Sequence, residues 1–273
     1  MLKLMRIIEL KLLKSILLSI LFLGTSLYAL PKEERVPGGI ALLHFPSKPT
    51  FLDKTKHYCL VQHQQKWTAV VPIALSALGS IDVVYSCKGK KDKAIITVGK
   101  KAYQKQYITI KDKTKVTPKK RDNKRIAREI KSRNNNLKTH SKHMPKSFKM
   151  IKPIDVALKD DFGKQRFFNM KARSPHSGMD LSAKKGTKIK VPLSGRVILL
   201  GNLYFNGRMV LIDHGQGLVS AYSHLSKIYY PNGTWLKKGA YLGEVGMSGR
   251  ATGPHLHWSV YLNGVAVNPE LFL

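Results

Sequence analysis

Gly253-Pro254-His255-Leu256-His257, opening a strand expected over Leu256 to Leu262, is the stretch on which the reading of this chain turns. Two histidines one residue apart on an extended segment point to the same face, so His255 and His257 look into one site. A second run, His176-Ser177-Gly178-Met179-Asp180, lies well upstream. Pro175 and Gly178 disfavour a helix there, so His176 and Asp180 are brought together by a turn that enters a strand near Met179. A catalytic zinc needs three protein ligands and one position kept for water. His176, Asp180 and one of the terminal pair supply that set; His257 is taken as the third ligand, which leaves His255 for the chemistry. His224, in Tyr222-Ser223-His224-Leu225, ends another expected strand. The spacing is not that of a helical H-E-x-x-H site with its glutamate base, so a different proton carrier is required.

Around these runs the sequence reads as short strands with turn residues between them. In the C-terminal part they are expected over Lys188 to Lys190, Gly195 to Leu200, Arg208 to Asp213, Gly217 to Ser223 and Leu242 to Val245. Asn206-Gly207, Asn232-Gly233 and Asn263-Gly264 each signal a hairpin. Upstream, strands are expected over Gly39 to His44, Tyr58 to Val61, Trp67 to Ile73, Ser80 to Tyr85, Ala94 to Val98 and Gln106 to Ile110. The fold class is therefore all-β: a small N-terminal β domain over 30–117, a basic helical linker over 118–147 and an antiparallel β-sheet domain over 148–273. His57 and His63 have no recognised ligand spacing and are read as surface residues.

The chain has 273 residues, 43% of them hydrophobic, enough to bury a core. Its formal charge of +32 implies an anionic partner or surface. From Lys88 to Lys152 there are 23 Lys and Arg against 4 Asp and Glu. Part of that run, Arg121 to Lys138, carries Ile126, Ile130 and Leu137 at helical spacing and is expected to form a solvated helix ended or frayed by Asn134 to Asn136. Aromatic residues are not interleaved with these lysines, which argues against nucleic acid as the partner. An acidic envelope polymer fits better.

Lys3, Arg6, Lys11 and Lys14 precede an apolar stretch, and Ala29 closes it. Residues 1–29 are expected to be a secretory signal. The alternative is an uncleaved inner-membrane anchor over Leu12 to Ala29, near the lower length limit for a span. Either outcome places the remainder outside the cytoplasm. In that setting Cys59 and Cys87 are a plausible disulfide between neighbouring strands, with two separate buried thiols as the alternative. No cysteine follows residue 87, so the C-terminal half must work with histidine and carboxylate.

Residues 162–269 resemble the LytM or lysostaphin-type catalytic domain of the M23 peptidases. The resemblance rests on His176 to Asp180, Gly195, Asp213-His214-Gly215, Tyr222 to Leu225, Gly239, the run from Gly246 to His257 and Val267-Asn268-Pro269, all in the family's order. It implies Zn2+ on His176, Asp180 and His257, catalytic roles for His224 and His255, and a role for His214 in the fold. It also implies a substrate in peptidoglycan, whose peptide stems or cross-links would be cut by D,D-endopeptidase or D,D-carboxypeptidase activity. The complete ligand set argues against the non-catalytic activators or cell-wall binding proteins related to the family. Val36 to Gln106 is similar to the N-terminal β domain of exported Gram-negative members, which implies a periplasmic location; separately, the chain is expected to be a monomer. In some relatives such a domain covers the cleft.

Overall fold

Apolar residues at alternate positions give strands with one face to bury, and such faces must meet. The computed structural model describes residues 29–63, 66–145 and 147–273. The signal or anchor segment lies outside them except for Ala29. Among the described residues no helix is long and apolar enough to cross a membrane.

The N-terminal strands are β1 (Ile40–Phe45), β2 (Thr50–Phe51), β3 (Cys59–His63), β4 (Lys66–Pro72), β5 (Ser80–Cys87) and β6 (Lys90–Thr97). They form two antiparallel sheets, ordered β1-β4-β3 and β2-β5-β6. Ala41, Phe45, Val71, Val83 and Ile96 belong to one apolar cluster of this region. Ile40, Cys59, Val61 and Val70 belong instead to the main core, together with Leu181, Trp258 and Leu271 of the C-terminal part.

This arrangement corrects the expected disulfide. Cys59 and Cys87 stand in different sheets, pack against different clusters and are both free. The Cys87 Sγ lies 3.6 Å from the Ser47 carbonyl, while burial raises the Cys59 thiol pKa far above its ordinary value.

β7 (Lys105–Ile108) pairs in parallel with β8 (Gln165–Phe168), whose other neighbour is β9 (Lys171–Ala172). Parallel neighbours need a long crossover. Here the crossover contains most of the basic segment, with α1 (Asn123–Leu137) inside it. The helix is seated more firmly than a solvated linker. Its Leu137 is buried with Met209, Leu211, Val219 and Tyr261, Glu129 Oε2 accepts from the Tyr204 N–H at 2.7 Å, and Arg125 donates to the Asn202 carbonyl at 2.9 Å.

The C-terminal sheet contains β10 (Met179–Ser182), β11 (Lys188–Lys190), β12 (Gly195–Leu203), β13 (Gly207–Gly215), β14 (Leu218–Ile228), β15 (Trp235–Leu236), β16 (Tyr241–Val245), β17 (His255–Leu262) and β18 (Val265–Val267). Its order is β10-β17-β14-β13-β12-β15, with β16 joining β11 to β14 and β18 flanking β17. Asn206-Gly207 closes the β12–β13 hairpin, and Asn263-Gly264 closes β17–β18 with φ of +51° and +81°, as a type I′ turn requires. Asn232-Gly233 closes no hairpin. The Gly233 N–H donates to Val197, and β15 pairs with β12 rather than with β14.

His214 is fully buried between these strands. Its Nδ1 lies 3.0 Å from the Ser194 carbonyl and must donate to it, so Nε2 accepts from the Ser220 hydroxyl at 2.7 Å. Burial pushes its pKa from 6.5 down to about 4. The unfolded imidazole takes a proton first, so the stability this residue contributes is complete above pH 6.5 and is lost as pH falls to about 4. At 1.36 kcal/mol per pH unit the loss reaches about 3 kcal/mol. Denaturation midpoints measured between pH 7 and 4 should fall less steeply for His214→Gln than for the parent chain.

Candidate metal centre

Residues directly opposite in an antiparallel ladder share a face. The β10–β17 register pairs Asp180 with His257 and Ser182 with His255. Asp180 Oδ1 lies 2.9 Å from His257 Nδ1. His176, in the loop before β10, brings its Nε2 to 3.0 Å from His257 Nδ1 and 3.2 Å from Asp180 Oδ1. The ligand atoms of all three residues lie within 4.8 Å of one another.

Proton positions follow from the remaining partners. His176 Nδ1 is 2.8 Å from the Asp161 carbonyl and must donate to it, which leaves Nε2 as a lone pair. His257 Nε2 is 2.9 Å from Ser259 Oγ, which can accept its proton and free Nδ1. Burial pushes the pKa of His257 down to about 4 despite the adjacent Asp180, favouring the neutral imidazole that a metal requires. Two imidazole lone pairs and a carboxylate oxygen thus converge at 2.9 to 3.2 Å. Metal–nitrogen bonds of about 2.0–2.1 Å in a tetrahedron place donors about 3.3 Å apart, so the set fits a small divalent ion.

The second oxygen of Asp180 is also committed. Arg166 Nη2 on β8 lies 2.5 Å from Oδ2, and Arg166 Nε donates to Gln106 Oε1 on β7 at 2.9 Å. Asp161 accepts the Asp180 N–H at 3.2 Å, and burial raises its own pKa. Sequence reading missed Arg166, Asp161 and Ser259 and gave Gln106 no role at the site. Ser259 had a signal, since it lies two residues beyond His257 on the same face. Arg166 had none, because its strand was not expected.

Strict alternation would put His224 on the same face as Tyr222, which fills the core opposite Trp258. A bulge intervenes: Val210 pairs with Tyr222, but Arg208 pairs with Leu225. His224 takes φ of +69°, an uncommon conformation for a residue with a side chain. Bulges re-aim side chains. This one brings the His224 ring within 4.8 Å of that of His255 and 6.2 Å of that of His257, measured between centroids. His224 Nδ1 donates to the Ser248 carbonyl at 2.7 Å, and His255 Nδ1 to the Gly253 carbonyl at 2.8 Å. Each keeps Nε2 free to accept a proton. Burial, reinforced by His255 and His257, pushes the pKa of His224 down to about 3. The structure therefore gathers His176, Asp180, His224, His255 and His257 in one place and leaves His214 out.

Residues 174–269 match the family model for peptidase family M23. A crystal structure from Pseudomonas aeruginosa assigned to peptidase M23 is 35% identical to this chain, covering 88% of it and 95% of its own length, with a TM-score of 0.74. The chain belongs to the M23 peptidase family. Among curated proteins, an uncharacterized metalloprotease of Haemophilus influenzae is 40% identical over 96 residues, 35% of this chain and 20% of the relative. The DD-carboxypeptidase/endopeptidase Mpg of Neisseria meningitidis is 37% identical over 94 residues, 34% of this chain and 22% of the relative. The peptidoglycan DD-endopeptidase ShyA of Vibrio cholerae is 34% identical over 119 residues, 42% of this chain and 28% of the relative. The chain thus spans less than a third of the length of these curated relatives.

Two substitutions test the geometry. A Cβ at Gly178 would lie 2.3 Å from Ser259 Oγ and 2.4 Å from the Trp258 carbonyl, so Gly178→Ala should push the His176 loop away from β17. Arg166→Gln should leave Asp180 free to turn and weaken divalent-metal binding about 10- to 100-fold, the usual effect of losing an outer partner. Competition with a chromophoric chelator measures both.

Proposed function

We propose that this chain is a zinc-dependent peptidoglycan hydrolase, a D,D-endopeptidase acting on peptide cross-links in the periplasm and capable of D,D-carboxypeptidase cleavage. The observation that carries the reading is the convergence of three lone-pair donors, His176 Nε2, Asp180 Oδ1 and His257 Nδ1, beside two imidazoles that each keep a free Nε2. The names of the curated relatives supply the substrate class. Residues 148–273 are read as the catalytic unit, 30–117 as the small β unit and 118–147 as the linker.

In this reading His176, Asp180 and His257 hold the ion. Zinc bound there supplies a Lewis acid that acidifies water and polarises a carbonyl. His224 and His255 do the proton work. His224 is neutral at pH 7 because of its burial, and its Nδ1–H bond to Ser248 fixes the tautomer and aims Nε2. One of the two imidazoles takes a proton at Nε2 as the amide carbonyl is attacked and returns it to the departing amine. The other stabilises the charge that develops on the carbonyl oxygen once its own Nε2 is protonated, as the imidazolium whose two nitrogens both donate.

The division of labour is testable with zinc content and muropeptide release measured on the same preparations. His224→Ala and His255→Ala should retain zinc and lose about 100-fold or more in rate. His257→Ala and Asp180→Ala should lose zinc. Loss of metal from His255→Ala, or full activity in His257→Ala, would overturn the assignment. A zinc-loaded parent protein unable to digest purified sacculi would point to a non-catalytic role.

A further inference from the structure

An open cavity of about 560 Å3 beside the metal centre is lined by His176, His224 and His257, and also by Arg166, Arg173 and Arg250. Arg166 is paired with Asp180, the one ion pair that these arginines make among the described residues. The other two meet neutral acceptors. Arg173 Nη2 donates to the Val116 carbonyl at 2.5 Å, and Arg250 Nη1 to the Lys115 carbonyl at 3.3 Å.

A guanidinium carries five N–H donors, so these contacts leave most of them open. The Arg173 Nε is buried with no partner among the described residues. Arg250 is held in place by aromatic faces, its guanidinium carbon 4.4 Å from the Phe168 ring centroid and 4.5 Å from that of Phe205. Burial, with the nearby charges of Arg173 and Arg166, pushes the Arg250 pKa down to about 10. Two partly buried cations that meet backbone carbonyls and, for Arg250, aromatic faces, but no carboxylate among the described residues, are poorly compensated. A carboxylate is the anion that matches a planar N–H fork two bonds at a time.

We propose that Arg173 and Arg250 form a carboxylate subsite of the groove. Resting on the hydrolase reading above, its ligand is a free carboxylate next to the scissile amide of an anionic stem peptide. Engaging that group sets the register of the peptide, so that the amide reaches the metal centre. Arg173 and Arg250 are thus specificity-determining residues that touch substrate but none of the reacting atoms. The Lys115 and Val116 carbonyls occupy only one donor of each arginine, so the subsite need not be emptied to work.

The test compares two cross-linked stem peptides that are identical except that the carboxylate beside the scissile amide is free in one and a carboxamide in the other. With the full zinc-loaded chain, kcat/KM should fall at least about 30-fold for the carboxamide, mainly through KM, as expected when a buried charge loses its partner. Arg173→Gln and Arg250→Gln should bring the ratio of the two rates near one, while the lysine variants should keep part of the preference. Equal turnover of both peptides by the parent chain overturns the proposal. So does an equal loss on both peptides in the glutamine variants, which is what a purely structural staple to residues 115 and 116 would give. Should the glutamine variants not fold, the parent ratio and the lysine variants decide. If the parent cleaves neither peptide, the hydrolase reading fails, and calorimetric titration with the same two peptides judges the subsite alone. Tighter binding of the free acid, abolished in the glutamine variants, supports it; equal affinities in the parent refute it.

Discussion

The pairing of β10 with β17 is the constraint from which the centre follows. It sets Asp180 across from His257, and because side chains alternate, a slip of one residue would turn both away from each other's face. The register is pinned from behind. Met179 and Trp258 are opposite one another on the other face of the same ladder, and both are almost completely buried. Burying each such side chain is worth about 1.5–3 kcal/mol, so a slipped ladder would expose apolar surface as well as scatter the donors. The metal donors and the core thus draw on one alternation.

Much of this alternation was legible in the sequence. The His-x-His pattern placed His255 and His257 on one face, and the turns at Asn206-Gly207 and Asn263-Gly264 closed the hairpins they signalled. What was hidden depends on partners distant in sequence. His224 could be suspected from its place at a strand end, but its orientation comes from a bulge between β13 and β14 that no local pattern announces. β8 escaped notice because its neighbour β7 lies some 60 residues earlier, so Arg166, Gln106 and Asp180 come together only in the folded chain. Asn232-Gly233 and the cysteine pair were each locally persuasive. Both were overridden by the sheet to which the adjoining strand belongs.

The basic segment looks different once folded. Part of its charge serves the chain itself: Lys115 sits 3.8 Å above the Tyr204 ring and donates to the Tyr204 carbonyl, and Arg125 joins Glu129 and Asn202. Most of the polar face of α1 remains exposed, as on a helix that attracts anions without specific contacts. The same segment therefore both braces the sheet and presents positive charge.

The parallel pairing of β7 with β8 has a consequence for how the chain can be divided. Cutting the protein between β7 and α1 would strip β8 of a neighbour and uncover a row of backbone N–H and C=O groups at a sheet edge. Such an edge is a template for strand addition from another molecule, so an excised C-terminal half carries a self-association hazard that the intact chain covers with its own earlier strand.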